Sequence, residues 1–282
     1  MATLAAAENV HPCFADNSVD VVLQSTEGTL YRVHSFTLRN TSGFFRTMLS
    51  LPQPPDAKVP QEIPVGEKDA VMERVLRMMC GLEIPRWASF DEVEATLDLI
   101  EKWDTPGPLS IVRTAITSPL FAAEPLRVYV LTSHFGWTEE AAAVLRETLK
   151  LELLGGEHDG VLCRLSSRSL LSLVAFHDRC KARFREALDG TDLFAAGNEE
   201  PRECGCGKRR DNYPWRILKA KLLSEFNKRP LGDQILVDMA GWPESAACWR
   251  AKCHCGNLYY DQVSTVGNIQ ESIKDATTPT PL

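Results

Sequence analysis

"VHSFTLRNTSGFF", Val33–Phe45, runs from a short apolar strand straight into two helical turns. Before it, Val19–Ser25 is rich in β-branched residues between polar flanks, the pattern of a strand. Thr26-Glu27-Gly28-Thr29 reads as a turn in which Gly28 is free to take positive φ, and Leu30–His34 as the returning arm of a hairpin. Ser35 is the candidate N-cap of a first short helix containing Leu38. Ser42 or Thr41 caps a second, on which Phe44, Phe45, Met48 and Leu49 recur at helical spacing. The prolines of Ser50–Pro60 exclude helix and central strand, which leaves a surface loop. Glu62–Val65 is a short strand confined to an edge by Pro64.

Farther on, a helix is expected over Lys68–Cys80 with Val71, Val75, Leu76 and Met79 inward, stopped by Gly81 and Pro85. Ser89 caps Phe90–Trp103, whose stripe is Val93, Leu97 and Ile100. Thr105-Pro106-Gly107-Pro108 breaks the chain before another helix over Leu109–Thr117. No βαβ alternation occurs, so the class is α+β. The second half reads as mainly α-helical. Helices are expected at Leu126–His134 and at Thr138–Leu154 (N-cap Thr138), joined by Phe135-Gly136-Trp137. Ser167–Leu188 follows with Leu170, Leu173, Val174, His177, Cys180, Phe184 and Leu188 on one stripe. Asp189–Pro201 reads as a polar linker, Trp215–Phe226 as an amphipathic basic helix, and Gln234–Met239 as the start of another. No internal repeat is visible.

Composition narrows the class of protein. Apolar residues at 44% and charged ones at 24% are ordinary values for a chain that folds through most of its 282 residues. No apolar run is long enough for a membrane helix, and the start lacks the marks of a secretion signal. The expected location is therefore cytoplasmic or nuclear, where thiols stay reduced. Five of the nine cysteines crowd the last third, which points to metal ligands or packing. A formal net charge of −7 gives no general pull toward nucleic acid or anionic membranes. One island, Arg202–Arg229, carries nine Lys/Arg against three Asp/Glu.

The order "DVVLQSTEGTLYRVHSFTLRNTSGFFRTML" (Asp20–Leu49) resembles the start of BTB/POZ domains. The matching positions are Asp20, Gly28, Val33, His34, Leu38, Ser42, Phe44 and Phe45. On that resemblance His34 ends the hairpin and caps the next helix, while the two phenylalanines anchor the following helix under the sheet. Downstream, "DLIEKWDTPG" stands where such domains carry an Ala-x-Lys-Tyr-like turn. The remainder is similar to a group of fungal BTB proteins, through "EPLRVYVLTSHFGWTEEAAAVLRETLKLEL", "LLSLVAFHDRC" and "WRILKAKLLSEFNKRP". The implied layout is a BTB/POZ-like domain at 14–117, a helical extension at 118–190, a helical Cys-rich region at 191–275 and a disordered tail at 276–282. The implied function is a non-enzymatic protein-interaction module with protein partners, including a homodimer. One form is a substrate adaptor for a cullin-type ubiquitin ligase; the alternative is a self-associating scaffold or transcriptional cofactor. The sequence departs from the family twice. Ser35 stands where BTB domains of zinc-finger transcription factors carry a basic residue that pairs with the strand aspartate, and only a short stretch precedes Phe14. Both departures argue for a weak, non-swapped dimer. Val65-Gly66-Glu67 has the apolar-x-Glu form of the motif that some BTB adaptors present to a cullin, making Val65 and Glu67 candidate contacts.

The chemistry-bearing residues divide into a few groups. Asp20 with His34 lacks any accompanying nucleophile or phosphate loop, so its expected role is structural. His177 and Cys180 share a helix face and suit metal ligation or a thiolate–imidazole pair, but they lie on an apolar stripe, where a satisfied core histidine is the commoner outcome. Cys204-Gly-Cys206-Gly207 and Cys253-His254-Cys255-Gly256 are two C-x-C-G knuckles whose four thiolates would suit structural zinc. Cys248, Cys180 and His177 are alternative ligands, and unligated reduced thiols are the competing reading. Lys208-Arg209-Arg210 could contact phosphate or direct nuclear import, though a solvated loop is the favoured reading and nucleic acid is not an expected partner. Trp215, Trp242 and Trp249 are expected to anchor helices. A cysteine- or metal-dependent enzyme is the third hypothesis; no nucleophile, base and oxyanion site converge in the sequence to favour it.

Overall fold

A computed structural model describes residues 9–52, 60–199, 203–204, 206–209 and 211–278. The chain divides into two compact units, Met1–Ala123 and Glu124–Leu282.

The first unit is built on a three-stranded sheet, order β2-β1-β3. Central β1 (Val21–Gln24) runs antiparallel to β2 (Leu30–Val33), with Val21 opposite Val33, across a turn in which Gly28 takes φ +83°. It runs parallel to β3 (Gln61–Pro64), with Val21 opposite Gln61. Val21, Val22 and Leu23 are all buried, so both faces of β1 are covered. Pro64 lies on an edge strand, where a missing N–H breaks no ladder. Beyond β2, Asn9 and Val10 lie alongside Leu30: its N–H donates to Asn9 O at 2.8 Å, and its carbonyl accepts from His11 N–H at 2.9 Å.

Helix α1 (Ser35–Thr41) starts one residue earlier than the cap assigned to Ser35. His34 holds the N-cap position without a side-chain cap bond, and Asp20 Oδ1 accepts the Ser35 N–H instead, at 2.8 Å. In α2 (Gly43–Met48), Ser42 is the cap, accepting from Phe45 N–H at 3.1 Å and donating to Trp103 O at 2.5 Å. Phe45 is fully buried and meets the Trp103 ring edge-on at 5.0 Å, while Phe44 faces solvent. The expectation of two phenylalanine anchors is therefore half corrected. Consecutive helical residues point about 100° apart, so only one of the pair can face the core.

Helix α3 (Asp69–Cys80) buries Met72, Val75, Leu76 and Met79, with Val71 only half-buried, and ends at left-handed Gly81. Helix α4 (Phe90–Trp103) is capped by Ser89. Helix α5 (Pro106–Ala115) begins at the proline read as a breaker, because the first helical position needs no N–H. Phe121 packs edge-on against Phe90 at 5.4 Å, which carries the unit past Thr117.

The second unit is helical among its described residues. Helix α6 (Pro125–His134) pairs with α7 (Thr138–Leu145). Trp137, not Thr138, holds the N-cap, and α7 stops at Leu145 rather than Leu154, giving way to a 3-10 turn over Glu147–Lys150. There the Thr148 hydroxyl bonds to Leu145 O at 2.6 Å. Helix α8 (Asp159–Leu162) precedes the long α9 (Ser167–Asp189). The expected polar linker after α9 is instead α10 (Thr191–Asn198), held by Phe194 stacked on Trp215 at 4.9 Å. Then come α11 (Tyr213–Lys228), α12 (Asp233–Asp238), α13 (Pro243–Arg250) and α14 (Gln262–Thr277). Ala276 and Thr277 are buried in α14, so the chain is helical where the tail was expected to begin; 279–282 lie outside the described residues. Helix α9 packs on α10, α11 and α14 around Phe184, Leu188, Trp215, Leu222, Phe226, Ile269 and Ile273. No helix of the described residues is long and apolar enough to cross a membrane.

Candidate metal centre

Two short segments, one leading into α11 and one between α13 and α14, fold into the same tight hairpin. Cys204 N–H donates to Lys208 O at 2.7 Å and Gly207 N–H to Cys204 O at 2.7 Å. Position for position, Cys253 N–H donates to Asn257 O at 2.8 Å and Gly256 N–H to Cys253 O at 2.9 Å. Bridges Glu203–Arg209 and Lys252–Leu258 close the bases of the two hairpins. Gly207 and Gly256 stand at φ +78° and +90°, a region where a side chain would be strained. That requirement explains why glycine follows the second cysteine in both.

The hairpins bring all four thiols together. The sulfurs of Cys204, Cys206, Cys253 and Cys255 lie within 4.8 Å of one another. Two close pairs run between hairpins: Cys204 to Cys255 at 3.5 Å and Cys206 to Cys253 at 3.3 Å. A disulfide would need about 2.05 Å, and all four are free thiols. Four sulfurs each ~2.3 Å from one ion stand ~3.8 Å apart in a regular tetrahedron, which the observed separations bracket. Cys204 and Cys253 are buried, Cys206 and Cys255 exposed.

Backbone N–H groups stabilise negative charge on this cluster. The N–H of Cys255, followed by the Cys206 thiol, brings Cys253 down to about 6. The N–H of Cys206 lowers Cys204 in the same way. Cys206 is pushed up to about 11, because it keeps the proton it shares with Cys253. Tyr259 is raised by burial and by the Cys253 charge beside it. An all-sulfur donor set of this kind suits a soft or borderline cation and not calcium or magnesium.

The other candidate ligands sit elsewhere. His177 and Cys180 face the core from α9; Thr148 Oγ1 lies 3.0 Å from His177 Nε2, and burial lowers the ring's pKa to about 4. Burial also raises Cys180, and takes Cys248 up to about 12 in the main core of the unit.

In the first unit, Val33 and Leu38 are buried, as is Phe45. Burial works against Asp20 ionising, but the Ser35 hydroxyl and N–H hold its carboxyl below the usual range. The His34 ring lies 3.7 Å from Asp16 rather than on Asp20. Val65 is half-buried, and Glu67 forms an ion pair with Lys102 while its carbonyl accepts from Thr26 N–H at 2.9 Å. Lys208 and Arg209 are exposed; Arg210 lies outside the described residues. Trp215 is in the core, Trp242 and Trp249 pack against it, and Lys221 sits 5.3 Å over the Trp242 ring.

Two polar organisers were not singled out from sequence. Asn198 donates to Leu188 O and Gly190 O at 2.7 and 2.8 Å and accepts from Trp215 Nε1 at 2.9 Å, joining α9, α10 and α11. Arg74 is buried, bonded to Pro85 O and Glu92, with its guanidinium 4.2 Å over Trp87. The sequence signal for Arg74 is a charged residue inside the apolar stripe of α3. No family model matches the chain, and no curated protein matches it.

Proposed function

We propose that the chain is a non-enzymatic protein-interaction module of BTB/POZ type that self-associates through its first unit. The observation that carries the reading is apolar surface on the first two helices. Phe36 in α1 is 74% exposed and Phe44 in α2 is 42% exposed, with Leu51 just beyond α2 at 59%. The same stretch carries the residues that resemble the BTB/POZ pattern. Asp20 is already engaged by the start of α1, and Asn9–Val10 lie along their own sheet, which together favour a dimer without exchanged strands. Sedimentation equilibrium of the full chain tests this. Mass should rise with concentration, and a Phe36→Asp/Phe44→Asp variant with unchanged circular dichroism should stay monomeric. A wild-type chain that is monomeric throughout sinks the proposal.

Between the two forms of this reading, the engagement of Glu67 by Lys102 favours a scaffold or transcriptional cofactor over a cullin adaptor. A purified cullin scaffold separates them. The adaptor form binds it and weakens in Glu67→Ala; the scaffold form shows no binding to lose.

A further inference from the structure

We infer that Cys204, Cys206, Cys253 and Cys255 bind one zinc ion as a closed structural tetrathiolate, clipping the entry of α11 to the entry of α14. This site is independent of the interaction reading, since it lies wholly in the second unit.

Three observations converge on it. The first is convergence of the donors: two segments far apart in sequence place four reduced sulfurs at separations that fit a tetrahedron around a single ion. The second is the repeated hairpin. Each carries the same pair of backbone hydrogen bonds and a positive-φ glycine. Packing alone gives no reason for the two hairpins to match in this detail. The third is charge. Four thiolates around a divalent ion leave two negative charges, and Lys208, Arg209 and Lys252, all exposed, belong to the hairpins themselves.

Zinc is the ion that this setting selects. The donor set has no oxygen, which disfavours calcium and magnesium. Iron accepts the same four sulfurs, but Cys206 and Cys255 are exposed, and a redox-inert ion survives there in air where ferrous thiolate oxidises. All four positions of a tetrahedron are filled by protein, so no place remains for water or substrate and the role is structural. Binding exchanges thiol protons for metal–sulfur bonds, releases those protons to solvent and transfers no electrons. The ion closes the long loop that contains α11, α12 and α13, the setting in which a metal clip contributes most.

Elemental analysis of the full chain, purified without a metal-affinity step, is the direct test. One zinc per chain is expected, lost in Cys206→Ser/Cys255→Ser and kept in Cys13→Ser, whose thiol is exposed outside the cluster. Because the double variant could misfold, wild-type protein stripped by a chelator should also be titrated with cobalt(II). An intense sulfur-to-cobalt charge-transfer band should saturate at one equivalent and vanish when zinc is added. Chain without metal and without that band overturns the site. Stoichiometric iron overturns the choice of zinc, and disulfides linking the two hairpins in freshly isolated protein overturn the reduced tetrathiolate.

Discussion

Phe44 and Phe45 are chemically identical neighbours with opposite surroundings, and that contrast is testable. Phe45→Ala removes a fully buried ring packed on Trp103 and should cost about 3–5 kcal/mol in urea unfolding. Phe44→Ala, at a site 42% exposed where the ring meets Phe45 edge-on, should cost markedly less, about 1 kcal/mol, when measured at a concentration low enough to keep the chain monomeric. Periodicity placed both on an apolar helix; it could not choose between adjacent residues, since that choice depends on where Trp103 arrives from α4. His177 offers a second residue-level test. Its pKa is lowered from 6.5 to about 4, by burial first and then by Lys181. Above pH 6.5 the ring is neutral in both folded and unfolded chain and no penalty applies. As pH falls from 6.5 toward 4, the unfolded chain takes up a proton that the folded one refuses, so stability is lost on acidification, by a few kcal/mol as an order of magnitude. The difference in unfolding free energy between wild type and His177→Gln, followed across that window, should show this loss in the wild type alone.

Elements were legible where their ends carried chemical marks. Ser89 before α4 and Gly81 after α3 were read at the correct positions, because a hydroxyl cap and a left-handed glycine are local requirements. Helix α10 was read as a linker because its sequence is polar at both ends and contains a glycine. What holds it is tertiary: Phe194 on Trp215, and Gly197 so close to the indole that an added Cβ would lie 2.2 Å from Trp215 Cδ1. Gly197→Ala should therefore cost about 1–3 kcal/mol by overpacking, and limited proteolysis should reach α10 sooner in the variant. The end of α7 was missed for the converse reason, since apolar spacing continues past Leu145 although the backbone does not. At the metal centre, the four cysteines and both glycines were visible in the two C-x-C-G strings. Their meeting was an expectation from those paired strings, and the structure brings it about by folding α11, α12 and α13 back so that the chain returns to its starting point.

At the scale of the molecule, the α+β class followed from strands confined to the opening third and helices thereafter. Within the basic island Arg202–Arg229, whose Lys208-Arg209-Arg210 stretch reads as a solvated loop, several other charges are engaged within their own unit. Lys219 pairs with Asp189, Lys221 and Lys228 share Glu225, and Arg229 reaches Asp233. The division into two units also predicts how the chain melts. Scanning calorimetry with and without a zinc chelator should show the transition of the second unit moving down and that of the first staying in place. Both moving together, or neither, would contradict an ion that serves one unit only.

The strand pairing along Leu30 has a consequence for handling the protein. An unpaired sheet edge is a template on which other chains can add, and repeated addition leads to fibrils. Here Asn9 and Val10 occupy the outer side of β2, and Pro64 interrupts donation along β3. Trimming a purification tag back through Val10 would strip one of these guards, so such preparations should cloud and bind thioflavin on storage while longer ones stay clear.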